Sequence, residues 1–509
     1  MTEEPRYMIF QNENRGKIMS KSKETTYEFL SEDPNVKTLP IMAALIIGAF
    51  FAILNETLLN IALTTLMVEF NITLPTVQWV ATGFMLIMGI VIPVSPLFMQ
   101  WFTTRQLFIG TMTVFTIGTT IAAIAPTFSI LLVGRFIQAV GTGLLMPILF
   151  NVFLLIYPPH RRGKIMGIVG LVIMFAPAIG PTLSGVIVDY LGWRFLFIIV
   201  LPFAVFSILF ALKYLVNISE VTKPKIDWLS IVFSTVGFGA TIYGFSSVGE
   251  SEAGFLSRDV LAAIIIGVVG IILFALRQFK LDEPLMDLRV FKLPMFTHAV
   301  IMFVIIVMTM FASELILPVF MQGPMGLAPA MAGMLLLPGS ILNGIMSPFM
   351  GALFDKVGPR VMMIPATIVL AGTMFMFSQM TADTPPWVII VGFMLIMLSV
   401  SATMMPAETN GLTQLPKRLY PHGTAVMSTL QPLSGAIGVS VFISILNSRQ
   451  ASYLSGVTDP ASQQSITQAM VVAVEQVYFI IFIITIIAVI LSFVVYRARP
   501  IEENNLKKG

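Results

Sequence analysis

Stretches of apolar residues longer than any soluble core needs follow one another along this chain, separated by short polar links. Crossing a bilayer as a helix takes roughly 20 mainly apolar residues. Fourteen stretches qualify, near residues 41–66, 78–100, 106–125, 129–155, 165–188, 194–215, 227–247, 259–279, 296–320, 329–350, 361–380, 387–407, 423–446 and 474–496. They are too long and too uniformly apolar for barrel strands, which alternate. With 57% of its 509 residues hydrophobic and 11% charged, the chain lies outside the range of soluble domains. An all-α polytopic membrane protein is expected. The first apolar run begins after some forty polar residues and lacks a small-residue cleavage site, so it reads as a retained helix. The absence of cysteine excludes disulfides, thiolate metal sites and cysteine nucleophiles.

Basic residues are spread unevenly. With the N-terminus placed inside, interior loops and tails hold 25 of the 29 Lys and Arg. Exterior loops hold Arg194, Arg258 and Arg449, and Arg135 falls within the fourth stretch. Cytoplasmic loops retain positive charge, so both termini are expected in the cytoplasm, with the chain in a plasma or inner membrane. The tail over residues 1–38 is polar and mixed in charge and reads as disordered or surface-lying, with Met19 an alternative start. The exterior segment near 447–473, rich in Ser and Gln, reads as a connector.

Ionisable groups within the spans are the candidates for function, because each is costly in lipid. In the first stretch, LNETLLN places Glu56 between Asn55 and Asn60. Ala49, Ala52, Glu56, Asn60 and Thr64 recur at helical spacing and form a small, polar stripe expected to face the bundle interior. Leu54, Leu58, Ile61 and Thr65 form another stripe, expected to face lipid. By depth, Arg135 is within reach of a contact with Glu56. Glu314 shares its face with Met310, Phe311 and Pro318, and Pro318 has no amide proton for the carbonyl of residue 314. Glu408, near the interior end of its stretch, reads as an end-of-helix acid. Most of the 34 Met and 40 Phe read as lipid-facing or core filler, the rest as adaptable lining for varied ligands.

An internal repeat links SPLFMQWFTTRQ (95–106) with GALFDKVGPRVM (351–362). With LNETLLNIAL (54–63), RFIQAVGTG (135–143), APAIGPTLSG (176–185) and GWRFLFIIVLP (192–202), the chain resembles the fourteen-helix drug:proton antiporters of the major facilitator superfamily over about residues 41–496. The first-helix acid of that family is displaced, with Asn55 at its position and Glu56 next to it. The loop motif is intact in the second half as Gly351, Asp355, Gly358 and Arg360. Its first-half counterpart has Met99 and Phe102 in place of Asp and Gly.

The resemblance implies two six-helix halves, 39–216 and 291–497, an inserted helix pair over 217–290, and cytoplasmic tails at 1–38 and 498–509. It implies proton-coupled efflux of amphipathic cationic or neutral drugs by alternating access, a property tied to antibiotic resistance. Proton coupling is expected from Glu56, Glu314 and Arg135, and substrate binding from Glu56, Asn60, Gln138, Met310 and Phe311. Gating is expected from Gly351, Asp355, Gly358 and Arg360, with Pro177, Gly180, Pro181 and Gly185 loosening the fifth helix and allowing close packing. Asp355 is expected to latch helix ends beside Lys356 and Arg360.

The expected partners are a small-molecule substrate, protons and the lipid bilayer, with no oligomer required and no nucleic acid, since the net charge of +3 is small. No cofactor is expected, because there is no GxxxxGK[ST] phosphate loop to bind ATP. HExxH is absent, and His160, His298 and His422 are too scattered for a metal site. An exporter or flippase of an endogenous lipid or metabolite is the alternative on the same fold. An intramembrane enzyme is remote, for want of paired catalytic groups.

Overall fold

The computed structural model describes residues 18–19, 26–27, 29–32, 37–72, 74–219, 221–249, 254–457 and 459–500; the side chains of Asn60, Pro177 and Pro181, among a few others, lie outside the described part. Among the described residues there are fourteen long helical segments. The first six are α1 (Thr38–Phe70), α2 (Leu74–Val91, continued by a 3-10 turn at Ile92–Val94 and by Ser95–Trp101), α3 (Thr104–Ala123), α4 (Phe128–Ile156), α5 (Arg162–Leu191) and α6 (Leu201–Tyr214, preceded by the single turn Phe195–Ile198). A pair follows, α7 (Trp228–Ser246) and α8 (Arg258–Lys280). The last six are α9 (Pro294–Gln322), α10 (Pro329–Val357), α11 (Pro359–Phe377), α12 (Pro386–Gln414), α13 (Tyr420–Leu454) and α14 (Gln463–Val494). The one extended pairing among the described residues joins Ile18–Met19 to Thr26–Tyr27 in the N-terminal tail.

Local sequence explains where the helices begin. Thr103 and Gln106 form a reciprocal capping box at the start of α3, and Thr127, Asp227 and Ser462 cap α4, α7 and α14 through their side chains. Proline, whose missing amide proton costs nothing in a first turn, opens α9 to α12. Between α10 and α11 the chain reverses at Gly358, whose φ of 82° is disfavoured for residues with a Cβ.

Helices α1–α6 and α9–α14 form two bodies that meet mainly along α5 and α10, with α13 against α4 and α2, and α12 against α5. The pair α7 and α8 packs on itself and leans on α2 and α13. The start of α1 and the segment after α14 lie on one side. There Tyr157 Oη approaches Met42 Sδ at 2.6 Å, Arg497 donates to the Asp355 main-chain oxygen at 2.7 Å, and Ala498 N donates to Asn410 Oδ1 at 2.9 Å. This is the tail side, opposite the far side. Around the outside, Leu209, Val361 and Ile490 are exposed by 60%, 63% and 61%, as a surface surrounded by lipid requires.

Three expectations need correction. Leu54 and Leu58 do not face lipid: they are 2% and 0% exposed, because α5 covers this side of α1 and Ser184 donates to the Leu58 main-chain oxygen. The connector near 447–473 is shorter than expected, since α13 runs to Leu454 and α14 starts at Gln463 under its Ser462 cap. The N-terminal tail is not wholly surface-lying. Phe29 and Leu30 are buried, with Phe29 between the Lys417 ammonium, 4.8 Å from its ring centre, and the Arg162 guanidinium at 5.9 Å.

Candidate functional site

The centre of the N-terminal half is a polar network around Arg135 of α4, which is 1% exposed. Its Nη1 donates to Asn55 Oδ1 of α1 and to Gln138 Oε1, both at 3.1 Å, and its guanidinium lies 4.1 Å from the Phe84 ring centre of α2. Gln138 donates in turn to Asn55 Oδ1 at 3.0 Å and to Thr119 Oγ1 of α3 at 2.7 Å, while Asn55 Nδ2 donates to the Leu196 main-chain oxygen at 3.2 Å. A buried guanidinium needs acceptors, and here neutral amides supply them. Sequence reasoning missed Asn55 as the partner of Arg135; its position directly beside the acid was the available signal. It also placed Gln138 among the substrate contacts, but Gln138 is fully buried and its amide is occupied within the network.

Glu56 is not hydrogen-bonded to Arg135. One residue on from Asn55, it turns about 100° around the helix and is half-buried. Among the described charged residues, it is nevertheless the one whose charge acts on Arg135. On the tail side of Glu56, its stripe is closed at Leu45, Ala49 and Ala52, all at most 1% exposed, and it opens at the acid. Helix α9 repeats the pattern: Phe303, Val307 and Met310 are 2%, 0% and 3% exposed, and one turn further on Glu314 is exposed. In each half a carboxylate thus follows, one turn on, a run of buried residues on the same helix face. Met310 is buried and Phe311 packs on Gly435 of α13, so neither is freely open. The Asn60 side chain lies outside the described residues.

The tail side is sealed by bonds between the halves. Asp355, at the end of α10, accepts from the amides of Gly163 and Lys164 at 2.9 and 2.8 Å, placing a carboxylate on the N-terminus of α5, where the helix dipole and free amides favour an anion. The expected neighbours of Asp355 were Lys356 and Arg360, but both side chains are exposed at that helix end, and α5 supplies the partners instead. Beside this contact α5 and α10 touch backbone to backbone: a Cβ on Gly351 would sit 2.1 Å from the Gly163 oxygen. Arg162 donates to Tyr420 Oη of α13 at 2.8 Å, and Gln100 Nε2 lies 3.4 Å from His422 Nε2. In α5, Gly180 packs on Thr57 of α1, whereas Gly185 has open space around it and mediates no close packing. Helix α5 is continuous through Pro177 and Pro181, whose side chains lie outside the described residues.

Two six-helix bodies of membrane-spanning helices, joined by bonds on one side and each carrying an acid within a span, define a membrane transporter architecture. Residues 45–439 match the sequence profile of the Major Facilitator Superfamily, and the chain belongs to that family. The chain is 49% identical to the lincomycin resistance protein LmrB of Bacillus subtilis over 463 residues, 91% of this chain and 97% of that protein. It is 45% identical to the protein of the same name from Listeria monocytogenes, over 91% of this chain and 98% of that protein. Among solved structures, the human organic anion transporter MFSD10 superposes with a TM-score of 0.59 at 12% identity, covering 89% of this chain and all of that one, a likeness of fold.

Proposed function

We propose that this protein is a drug efflux transporter that exchanges amphipathic cationic or neutral compounds for protons by alternating access, with Glu56 as the carboxylate that proton and cationic drug share. The carrying observation is the placement of Glu56: half-buried, one turn beyond a fully buried run of its helix face, unbonded to Arg135 yet close enough for their charges to interact. Close identity to lincomycin resistance proteins supports the drug class. The bias of Lys and Arg supports assigning the tail side to the cytoplasm, so the seal described here closes the cytoplasmic side.

A single carboxylate can hold either a proton or an organic cation. Protonation from outside removes the attraction for the drug and releases it; reopening inward lets the proton leave and a new cation enter. Exchanging one proton for one monovalent cation moves no net charge, so the pH gradient drives it. For a neutral drug each entering proton also gains about 2.3 kcal/mol per 100 mV of membrane potential. Arg135, held by amides, keeps a fixed positive charge beside the acid. Glu314, accessible from the other half, is the second candidate for the coupling acid.

The test is proton movement in proteoliposomes when drug is added. Drug-triggered proton release supports antiport, and drug movement without a pH response overturns it in favour of a facilitator or flippase.

A further inference from the structure

The sealed tail-side half holds a third intramembrane acid that the exchange described above does not use. Glu408 of α12 is 2% exposed, and among the described residues no hydrogen bond reaches its carboxylate and no neighbouring charge acts on it. The position does not fit an end-of-helix acid reaching water. On α12 it shares a face with Met397, Ser401, Met404 and Met405, all 4% exposed or less. Met405 reaches across to the other half, where its Cγ lies 2.8 Å from the Cβ position of Gly170 on α5. This face therefore abuts the seam between the halves.

Unpaired polar atoms stand on the helices that meet at the seam. Ser401 Oγ on α12, Asn343 Oδ1 on α10, Ser428 Oγ on α13, Asn151 Oδ1 on α4 and Ser95 Oγ on α2 are all buried without a hydrogen-bond partner. Each such atom costs about 1–3 kcal/mol. These five atoms come from both halves, on helices that pack across the seam. Their cost is removed if the halves separate on the tail side and water enters, so the buried atoms line the pathway of the other state.

We propose that Glu408 is a cation-selecting carboxylate on the tail-side half of the pathway, captured in its closed form here, and that it attracts amphipathic organic cations as they enter. This inference rests on the transport reading above. One acid among methionines suits such a ligand, since thioether side chains repack around varied apolar bodies while the carboxylate meets the charge.

The natural chain lacks cysteine, so accessibility can be read from single cysteines. In inverted membrane vesicles, Ser401→Cys and Asn343→Cys should react with a membrane-impermeant thiol reagent, and a saturating cationic drug should slow that reaction. For Glu408→Gln, uptake into such vesicles is compared for a monovalent cationic drug and a neutral compound of matched size. The ratio of their half-saturation concentrations should rise at least about tenfold, while Glu408→Asp stays near the unmodified ratio; tenfold corresponds to about 1.4 kcal/mol. An unchanged ratio in properly inserted Glu408→Gln protein, or cysteines that never react, overturns the proposal. Loss of drug-triggered proton release in Glu408→Gln with an unchanged ratio also overturns it, making the residue a proton carrier. If the unmodified protein releases no protons on drug addition, antiport fails, yet the ratio still reports on Glu408.

Discussion

Arg135 and Asn55 are joined by a 3.1 Å hydrogen bond between α4 and α1, and the residue after Asn55 is the acid Glu56. The amide satisfies the guanidinium without neutralising it. Glu56 is thereby left without a hydrogen bond to Arg135, as the proposed sharing of one carboxylate by proton and drug requires.

Asn55→Leu removes both an acceptor of Arg135 and a donor to the Leu196 main-chain oxygen. Losing one neutral acceptor of a buried charge that keeps another, Gln138, costs about 1.5–3 kcal/mol. The protein should show a clearly lower melting temperature in detergent, with export falling in parallel. Asn55→Asp, which keeps an acceptor, should melt near the unmodified protein.

Replacing Glu56 by Gln preserves shape and removes titration. Neutral drugs should still bind, measured by equilibrium binding, but a pH gradient should no longer drive their accumulation. Glu56→Asp should keep part of the activity. Full cation export by Glu56→Gln would move the coupling role to Glu314.

Asp355→Asn retains an acceptor for the α5 amides but loses the charge that complements the helix N-terminus, worth about 0.3–1 kcal/mol when exposed and up to ~2 when partly buried. Turnover should slow several-fold with drug affinity nearly unchanged, as read from initial rates against drug concentration. Gly351→Val should be harsher, because its Cβ would strike the Gly163 oxygen. Closure on the tail side would be blocked, and cysteines on the seam should become permanently reactive.

In the inserted pair, Arg277 holds Asp227 by two bonds of 2.6 and 2.7 Å, and this pushes the carboxyl down to about 2. A depressed acid contributes stability that is fully present above the unfolded value of 3.8 and is lost as pH falls through about 2. Asp227→Asn should therefore lower the melting temperature slightly at pH 7, by the equivalent of about 1 kcal/mol given its partial exposure, and the difference should vanish near pH 2.

The sequence by itself determined the membrane class, the helical architecture and the approximate limits of the spans. Length and apolarity of a span are local properties set by bilayer thickness. It also marked Glu56, Arg135 and Glu314 as unusual, since any charge within a span stands out. Rotation and state were decided only by tertiary structure. Lipid tails are as apolar as leucine, so hydropathy could not tell that Leu54 and Leu58 face protein. Asn55 and Glu56 differ by about 100° of helix rotation, and only the packing of α4 against α1, a contact across 80 residues of chain, selected the amide for Arg135. Glu408 looked like a solvated helix end because depth alone was legible; its burial follows from closure of two halves whose meeting surfaces are distant in sequence.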